Sequence, residues 1–198
     1  LIGDTLYRYY AIRTDSLGFA RDSSNILEVR TLSETSHDYV WQTITMGEWQ
    51  SAFFDVWGSG ENDVWVVGQL HQNGVWSKEL NTFPMQNFLP RSVYAINEKE
   101  RYVCGRGIMN GYSGHWARAS VPLSPQFMKI RGSGANNIFA AGESSIAVHY
   151  NGVSWHTYSE LFTDDNSFFY GIYCTGNKVF LVGETGDSKA KICIGTKQ

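Results

Sequence analysis

Proline and cysteine are scarce in this 198-residue chain, with four and three residues respectively. So little proline leaves few rigid linkers. Cys104, Cys174 and Cys193 make an odd count with no CxxC pair, which excludes a dense disulfide framework and a zinc ribbon. Each sits among apolar or small residues of an expected strand, where a thiol acts as a small buried hydrophobe. Charged residues amount to only 18%, no block of Lys or Arg occurs, and the net charge is −3, so a nucleic-acid groove is not expected. No apolar run approaches the roughly 18 residues of a membrane helix. The first residues lack a basic segment followed by an apolar one, so neither membrane insertion nor a secretion signal is expected within the chain. Glycine is abundant at 20 residues, and 42% hydrophobic with 15% aromatic content is enough to build a core.

Internal repetition organises most of the sequence. Residues 55–68 read DVWGSGENDVWVVG, residues 92–105 SVYAINEKERYVCG and residues 129–142 KIRGSGANNIFAAG, aligned without gaps at a spacing of 37. A fourth copy, GIYCTGNKVFLVG at 171–183, is one residue shorter in its turn. Each copy closes on a glycine: Gly68, Gly105, Gly142 and Gly183. An apolar strand, a Gly/Asn/Asp-rich turn and a strand of β-branched and aromatic residues spell a hairpin. Gly58, Gly60 and Asn62 are expected to supply positive φ in the first turn. The near-continuous apolar runs Ile138-Phe139-Ala140-Ala141 and Val179-Phe180-Leu181-Val182 imply burial on both faces, as between stacked sheets. No stretch has a convincing helical period.

A second hairpin follows each closing glycine, marked by tryptophan after Asn-Gly: Val75-Trp76, His115-Trp116 and Ser154-Trp155 after Asn73-Gly74, Asn110-Gly111 and Asn151-Gly152. The unit is thus four strands with tryptophan opening the outermost. The fourth unit ends after a third strand at 191–194, and Val40-Trp41-Gln42-Thr43-Ile44 upstream of the first unit looks like the missing strand. The expected fold is all-β: a small propeller of about four four-stranded blades (51–87, 88–124, 125–165 and 166–198). The strand over 38–46 completes the last blade and removes the exposed sheet edges. An open row of hairpins is the competing arrangement, with apolar faces wet at both ends.

The run Phe54-Asp55-Val56-Trp57-Gly58-Ser59-Gly60, continuing through Asn62-Asp63-Val64-Trp65-Val66-Val67-Gly68, and the later Asn151-Gly152-x-x-Trp155 resemble the repeats of secreted bacterial β-propellers over residues 36–198. Such propellers usually have more blades than four, so the resemblance also allows five blades or part of a larger ring. Residues 1–33 stand outside the repeat. Asp4-Thr5-x-Tyr7-x-Tyr9-x-Ala11, Asp15-x-x-Gly18 and Ser24-Asn25-x-Leu27-x-Val29 resemble the last two strands of a fibronectin type III module, with Tyr7 in its corner position. A degenerate fifth blade is the alternative for this segment. The resemblance implies an extracellular or cell-surface bacterial protein, of which this chain is a monomeric part.

No motif carries a mechanism on its own. Gly-x-Gly at Gly58 and Gly132 lies in strand turns with no helix to hold a phosphate, and the five histidines lack metal-ligand spacing. His149 and His156 are expected on neighbouring strands. Two sets of equivalent positions are candidates for ligand binding. Gln69, Arg106, Glu143 and Glu184 follow the closing glycines, and Glu143 with Glu184 would be an acid/base pair if the module cleaved glycosides. Trp57, Tyr94, Arg131 and Tyr173 lie on the innermost strands, where they either stack on a ligand or pack between blades. The expected function is a non-catalytic binding module for a glycan or protein, without cofactor, metal or nucleic acid. A polysaccharide hydrolase and a structural spacer are the alternatives.

Overall fold

The computed structural model describes residues 4–32, 38–45, 51–69, 74–76, 88–121 and 125–198, which form two compact units, Leu1–Ile44 and Thr45–Gln198. Among the described residues all sheets are antiparallel, and the one helical element is a 3-10 turn over Ser159–Leu161. None of these residues forms a helix long and apolar enough to cross a membrane.

The first unit is a nested ribbon. Strand β1 (Leu6–Tyr9) pairs with β4 (Leu27–Arg30), and β2 (Ile12–Thr14) with β3 (Ala20–Ser23). The Asp15 carboxylate holds the inner turn by accepting the Leu17 and Phe19 amides, while Gly18 supplies φ +84°. Alternation sorts the faces: Tyr7↔Val29 and Tyr9↔Leu27 are apolar, while Arg8↔Glu28 on the other face forms an ion pair at 2.7 Å. Of the expected strand over 38–46, the described residues 38–45 form no strand and Trp41 is 84% exposed, while residue 46 lies outside the described residues. Val40-Trp41-Gln42-Thr43 has strand-forming side chains but pairs with no strand among the described residues, and a lone strand has no backbone bonds to hold it.

The described residues of the second unit form four sheets. The first holds β5 (Ala52–Gly60), β6 (Asp63–Gln69) and β7 (Gly74–Trp76). The second holds β8 (Ser92–Ala95), β9 (Glu100–Gly105), β10 (Gly107–Tyr112) and β11 (His115–Arg118). The third holds β12 (Phe127–Gly134), β13 (Asn137–Gly142), β14 (Ala147–Tyr150) and β15 (Trp155–Thr157). The fourth holds β16 (Phe168–Cys174), β17 (Lys178–Glu184) and β18 (Ala190–Thr196). Within each sheet the strands run in simple succession. The sheets stack in series through their first strands, β8 against β5, β12 against β8 and β16 against β12.

The closing glycines have a steric cause. A Cβ on Gly68, Gly105, Gly142 or Gly183 would lie 2.1, 2.3, 2.3 or 1.8 Å from a backbone carbonyl oxygen of Ala52, Leu89, Gln126 or Phe168. In three sheets the register shifts just there, between Phe53 and Asp55, Phe127 and Lys129, and Phe169 and Gly171. A bulge on the first strand presses backbone onto the end of the second, and only glycine admits it.

Three apolar clusters lie between consecutive sheets. Trp65 and Val67 meet Val93, Val103 and Met109; Tyr102 and Ile108 meet Ile130 and Ile138; Ala141 and Ala147 meet Phe169 and Leu181. Trp116 on β11 packs back on Trp65 at 6.1 Å, and Trp155 on β15 packs back on Tyr102 at 6.2 Å. Arg101 caps the first junction, its guanidinium 4.0 Å from the Trp65 ring. Residues 138–141 are buried on both faces as their pattern implies, but of 179–182 only Leu181 is. The fourth sheet is covered on one side, and so is the first, where Trp65 and Val67 are buried while Val56 and Val64 are exposed. Among the described residues no further sheet covers the outer face of the first or of the fourth sheet.

Three local expectations are corrected. Trp76 stands on the third strand of its sheet, pairing with Val66 as Met109 pairs with Val103 in the second sheet, whereas Trp116 and Trp155 stand on fourth strands. Asn110-Gly111 lies inside β10; the turn before β11 is Ser113-Gly114, with φ +47° and +84°. Gly58, Gly60 and Asn62 do not have positive φ. Gly58 instead admits a tight bulged approach, since a Cβ there would sit 2.8 Å from the Asp63 carbonyl oxygen.

Candidate functional site

Stacking of the first strands turns equivalent repeat positions into spatial neighbours. Trp57 and Tyr94 pack ring to ring at 5.3 Å, and the Arg131 guanidinium lies 4.8 Å from the Trp57 ring. Trp57 Nε1 donates to the Ala95 carbonyl at 2.9 Å, tying the first sheet to the second. The fourth member, Tyr173, is 67% exposed beside Phe180 at 6.3 Å. Three of the four positions thus serve packing between sheets, and one faces solvent.

The centre of this region is a residue that sequence reasoning missed. The Asp55 carboxylate on β5 accepts Arg131 Nη1 and Nη2 at 2.9 and 2.8 Å, Lys129 Nζ at 2.9 Å, Ser92 Oγ at 2.5 Å and Val93 N at 3.2 Å. Arg131 Nη1 also reaches the Val93 and Ile130 carbonyls at 2.9 and 2.7 Å. Burial pushes the Asp55 carboxyl up, but bonds from Arg131, Ser92 and Lys129 outweigh it and hold the group below its ordinary 3.8. Asp55, Ser92 and Lys129 head the three aligned 14-residue copies, so the signal was one column of the alignment. An acid, a hydroxyl and an amine at one repeat position form a bonded set once three sheets meet. The arrangement is a clamp in which one carboxylate holds two cations across three sheets.

The second candidate set is spread along the sheet ends. Arg106 is exposed and bridges to Gln126, and Glu143 is exposed and bridges to Phe168. Gln126 N donates to Glu143 Oε2 at 3.4 Å, and the Tyr170 hydroxyl donates to Glu184 Oε1 at 2.6 Å. Each carboxylate is thus engaged beside its own sheet. Gln69 ends β6 opposite Ala52, and its side chain lies outside the described residues.

Ser145 and Lys191 have the composition of a Ser–Lys nucleophile, with Lys191 Nζ donating to Ser145 Oγ at 2.8 Å and φ +53° at Ser145. Ser145 and Ser167 are fully buried and share a 2.6 Å bond between hydroxyls. No substrate can reach such an oxygen, so the group is a polar staple between the third and fourth sheets.

A cavity of about 860 Å³ opens between those same sheets, lined by Phe139, His149, Leu181, Cys193 and Ile194. His149 and His156 are register partners, as expected of neighbouring strands. His149 stacks on Phe139 at 4.3 Å and its Nε2 lies 3.0 Å from Asn137 Oδ1, while Asn137 Nδ2 donates across the gap to the Thr175 carbonyl at 3.1 Å. Burial, then the charges of His156 and Lys197, lower the His149 pKa from 6.5. Among the described residues no cluster of three His, Cys, Asp or Glu side chains is placed to hold a metal ion. No protein-family model matches this chain, and no curated protein matches its sequence.

Proposed function

We propose that the chain is a non-catalytic binding module of a secreted or cell-surface bacterial protein. Its four sheets are blades of a β-propeller, and residues 1–33 are the closing strands of a fibronectin type III-like module. The ligand is a glycan or a protein. One observation carries the reading: at the matching positions 57, 94 and 131 the side chains are spent on packing between sheets, while the equivalent Tyr173 projects into solvent next to Phe180. An exposed tyrosine beside a half-buried phenylalanine supplies rigid, amphipathic contact area for sugars and peptides. Glu143 and Glu184 are each engaged by their own surroundings, which favours binding over glycoside cleavage. A glycan array and a pull-down from the native milieu, run with wild type and Tyr173→Ala, test this. Binding lost in the variant at unchanged stability is the expected result. Release of reducing sugar from polysaccharide, abolished by Glu143→Gln or Glu184→Gln, would overturn it in favour of a hydrolase.

A further inference from the structure

Arginine pairing divides this chain in a way that its net charge does not show. Six of the nine arginines sit 2.7–3.9 Å from a carboxylate. The other three, Arg91, Arg106 and Arg118, form no ion pair among the described residues, and all three belong to one end of the second sheet. Arg91 directly precedes β8, Arg106 is the single residue between β9 and β10, and Arg118 ends β11. Antiparallel succession brings these points together, with Ser92 paired to Cys104, Gly105 to Gly107 and Met109 to Arg118.

Neutral groups hold two of the three guanidinium groups in place. Arg91 lies 4.5 Å over the Phe54 ring, and its Nε and Nη2 donate to the Gln126 side-chain carbonyl at 2.8 and 3.1 Å. Arg118 Nη2 donates to the Arg106 carbonyl at 3.0 Å. Gly107, at φ +101°, makes room for it, since a Cβ there would lie 2.7 Å from Arg118 Nη2. The Arg106 side chain is exposed. Orientation is thus fixed without neutralisation, and three positive charges stay uncompensated at one sheet end. Clustered like charges gain from an anion that bridges them.

We propose that this end of the second sheet binds an acidic oligosaccharide through its carboxylate or sulfate groups. The inference rests on the binding-module reading but not on Tyr173, which belongs to the fourth sheet. A guanidinium presents parallel N–H donors that match the two oxygens of a carboxylate or of a sulfate edge. Phe54, 40% exposed, adds apolar ring surface beside Arg91 for a sugar face. A peptide strand has no ladder edge to join here, because the amides of Arg91, Arg106 and Ala119 already donate to the Cys104, Phe88 and Ile108 carbonyls. Glu143 borders the patch, bonded to the backbone amide of the same Gln126, and would repel a long polyanion such as nucleic acid.

Titration calorimetry at low ionic strength tests the proposal with a galacturonate hexamer, a sulfated dextran fragment of equal length and neutral maltohexaose. At least one acidic oligomer should bind and maltohexaose should not, and the tighter acidic oligomer identifies carboxylate or sulfate as the group recognised. Added salt should weaken the binding. Arg106→Gln and Arg118→Gln should each weaken it about tenfold or more, with far-UV circular dichroism unchanged. Arg118→Lys, which keeps the charge but loses the fork, should also weaken it. Arg13→Gln, the same change of charge in the first unit, should leave it intact. Binding by neither acidic oligomer, equal binding of maltohexaose, a loss as large for Arg13→Gln, or tighter binding of a glutamate hexapeptide would overturn the surface. Loss on Tyr173→Ala with the arginine variants binding normally would also overturn it and keep the Tyr173 reading, while the reverse would keep this surface and remove Tyr173.

Discussion

Replacing Asp55 with alanine removes the carboxylate to which Arg131 and Lys129 are bonded at the junction of three sheets. Its side chain is 7% exposed, against 15% for Arg131 and 24% for Lys129. Deleting one partner of a buried ion pair costs about 3–5 kcal/mol, because the other charge is left uncompensated. Partial access of water to both cations places this case at the lower end, about 3 kcal/mol. With a urea slope near 2 kcal/mol per molar, the unfolding midpoint should fall by about 1.5 M at an unchanged slope. The cycle with Arg131→Met separates the pair from the rest: the double variant should lose less than the sum of the singles by about 1.5 kcal/mol or more. The pH dependence has a definite sign. The folded-state pKa of Asp55 lies below the ordinary 3.8, so its contribution is complete above that value and disappears as pH falls through the folded pKa. A loss under about 1 kcal/mol for Asp55→Ala, or strict additivity with Arg131→Met, would refute the clamp.

Gly142→Ala should destabilise by about 2–4 kcal/mol, since its Cβ would lie 2.3 Å from the Gln126 carbonyl oxygen, whereas Gly134→Ala, whose nearest neighbour is 3.8 Å away, should cost less than about 1 kcal/mol; thermal unfolding compares them. Cys104 is fully buried and its thiol is pushed up by that burial, so a disulfide reagent should modify it only on unfolding. Cys193 should react ahead of Cys104. NMR titration should find His149 protonating below 6.5; because the folded state disfavours its cation, this group lowers stability as pH falls below 6.5, and His149→Gln should reduce that part of the acid sensitivity.

The repeat was legible because its period is written in local physics. Bulge glycines, hairpin turns and buried second strands recur at one spacing, and each sheet appears in order. What the sequence left open concerns contacts between units. Asp55 looks like one polar residue in an apolar strand until Lys129 and Arg131, 74 and 76 positions away, are brought onto it. Trp76 follows the tryptophan pattern of Trp116 and Trp155, yet it pairs with Val66 on the third strand of its sheet, a shift that periodicity does not register. The run Val179–Val182 matches Ile138–Ala141 in composition, but a sheet at the end of a stack has only one neighbour. Burial on the second face requires a covering sheet, and the run itself does not say whether one is supplied. Of the ligand-binding candidates, packing absorbs Trp57, Tyr94 and Arg131 for the same reason: equivalent positions converge, and convergent aromatics bury one another first.

Front-to-back stacking of the repeats is most directly tested by nuclear Overhauser spectroscopy on deuterated protein with protonated Trp and Tyr rings. Trp116 should show cross-peaks to Trp65, and Trp155 to Tyr102, matching ring separations of 6.1 and 6.2 Å with edge-on geometry. Both cross-peaks missing in a folded sample, with intra-sheet Tyr150–Trp155 contacts retained, would mean that the repeats fold as separate sheets and that the stack does not exist.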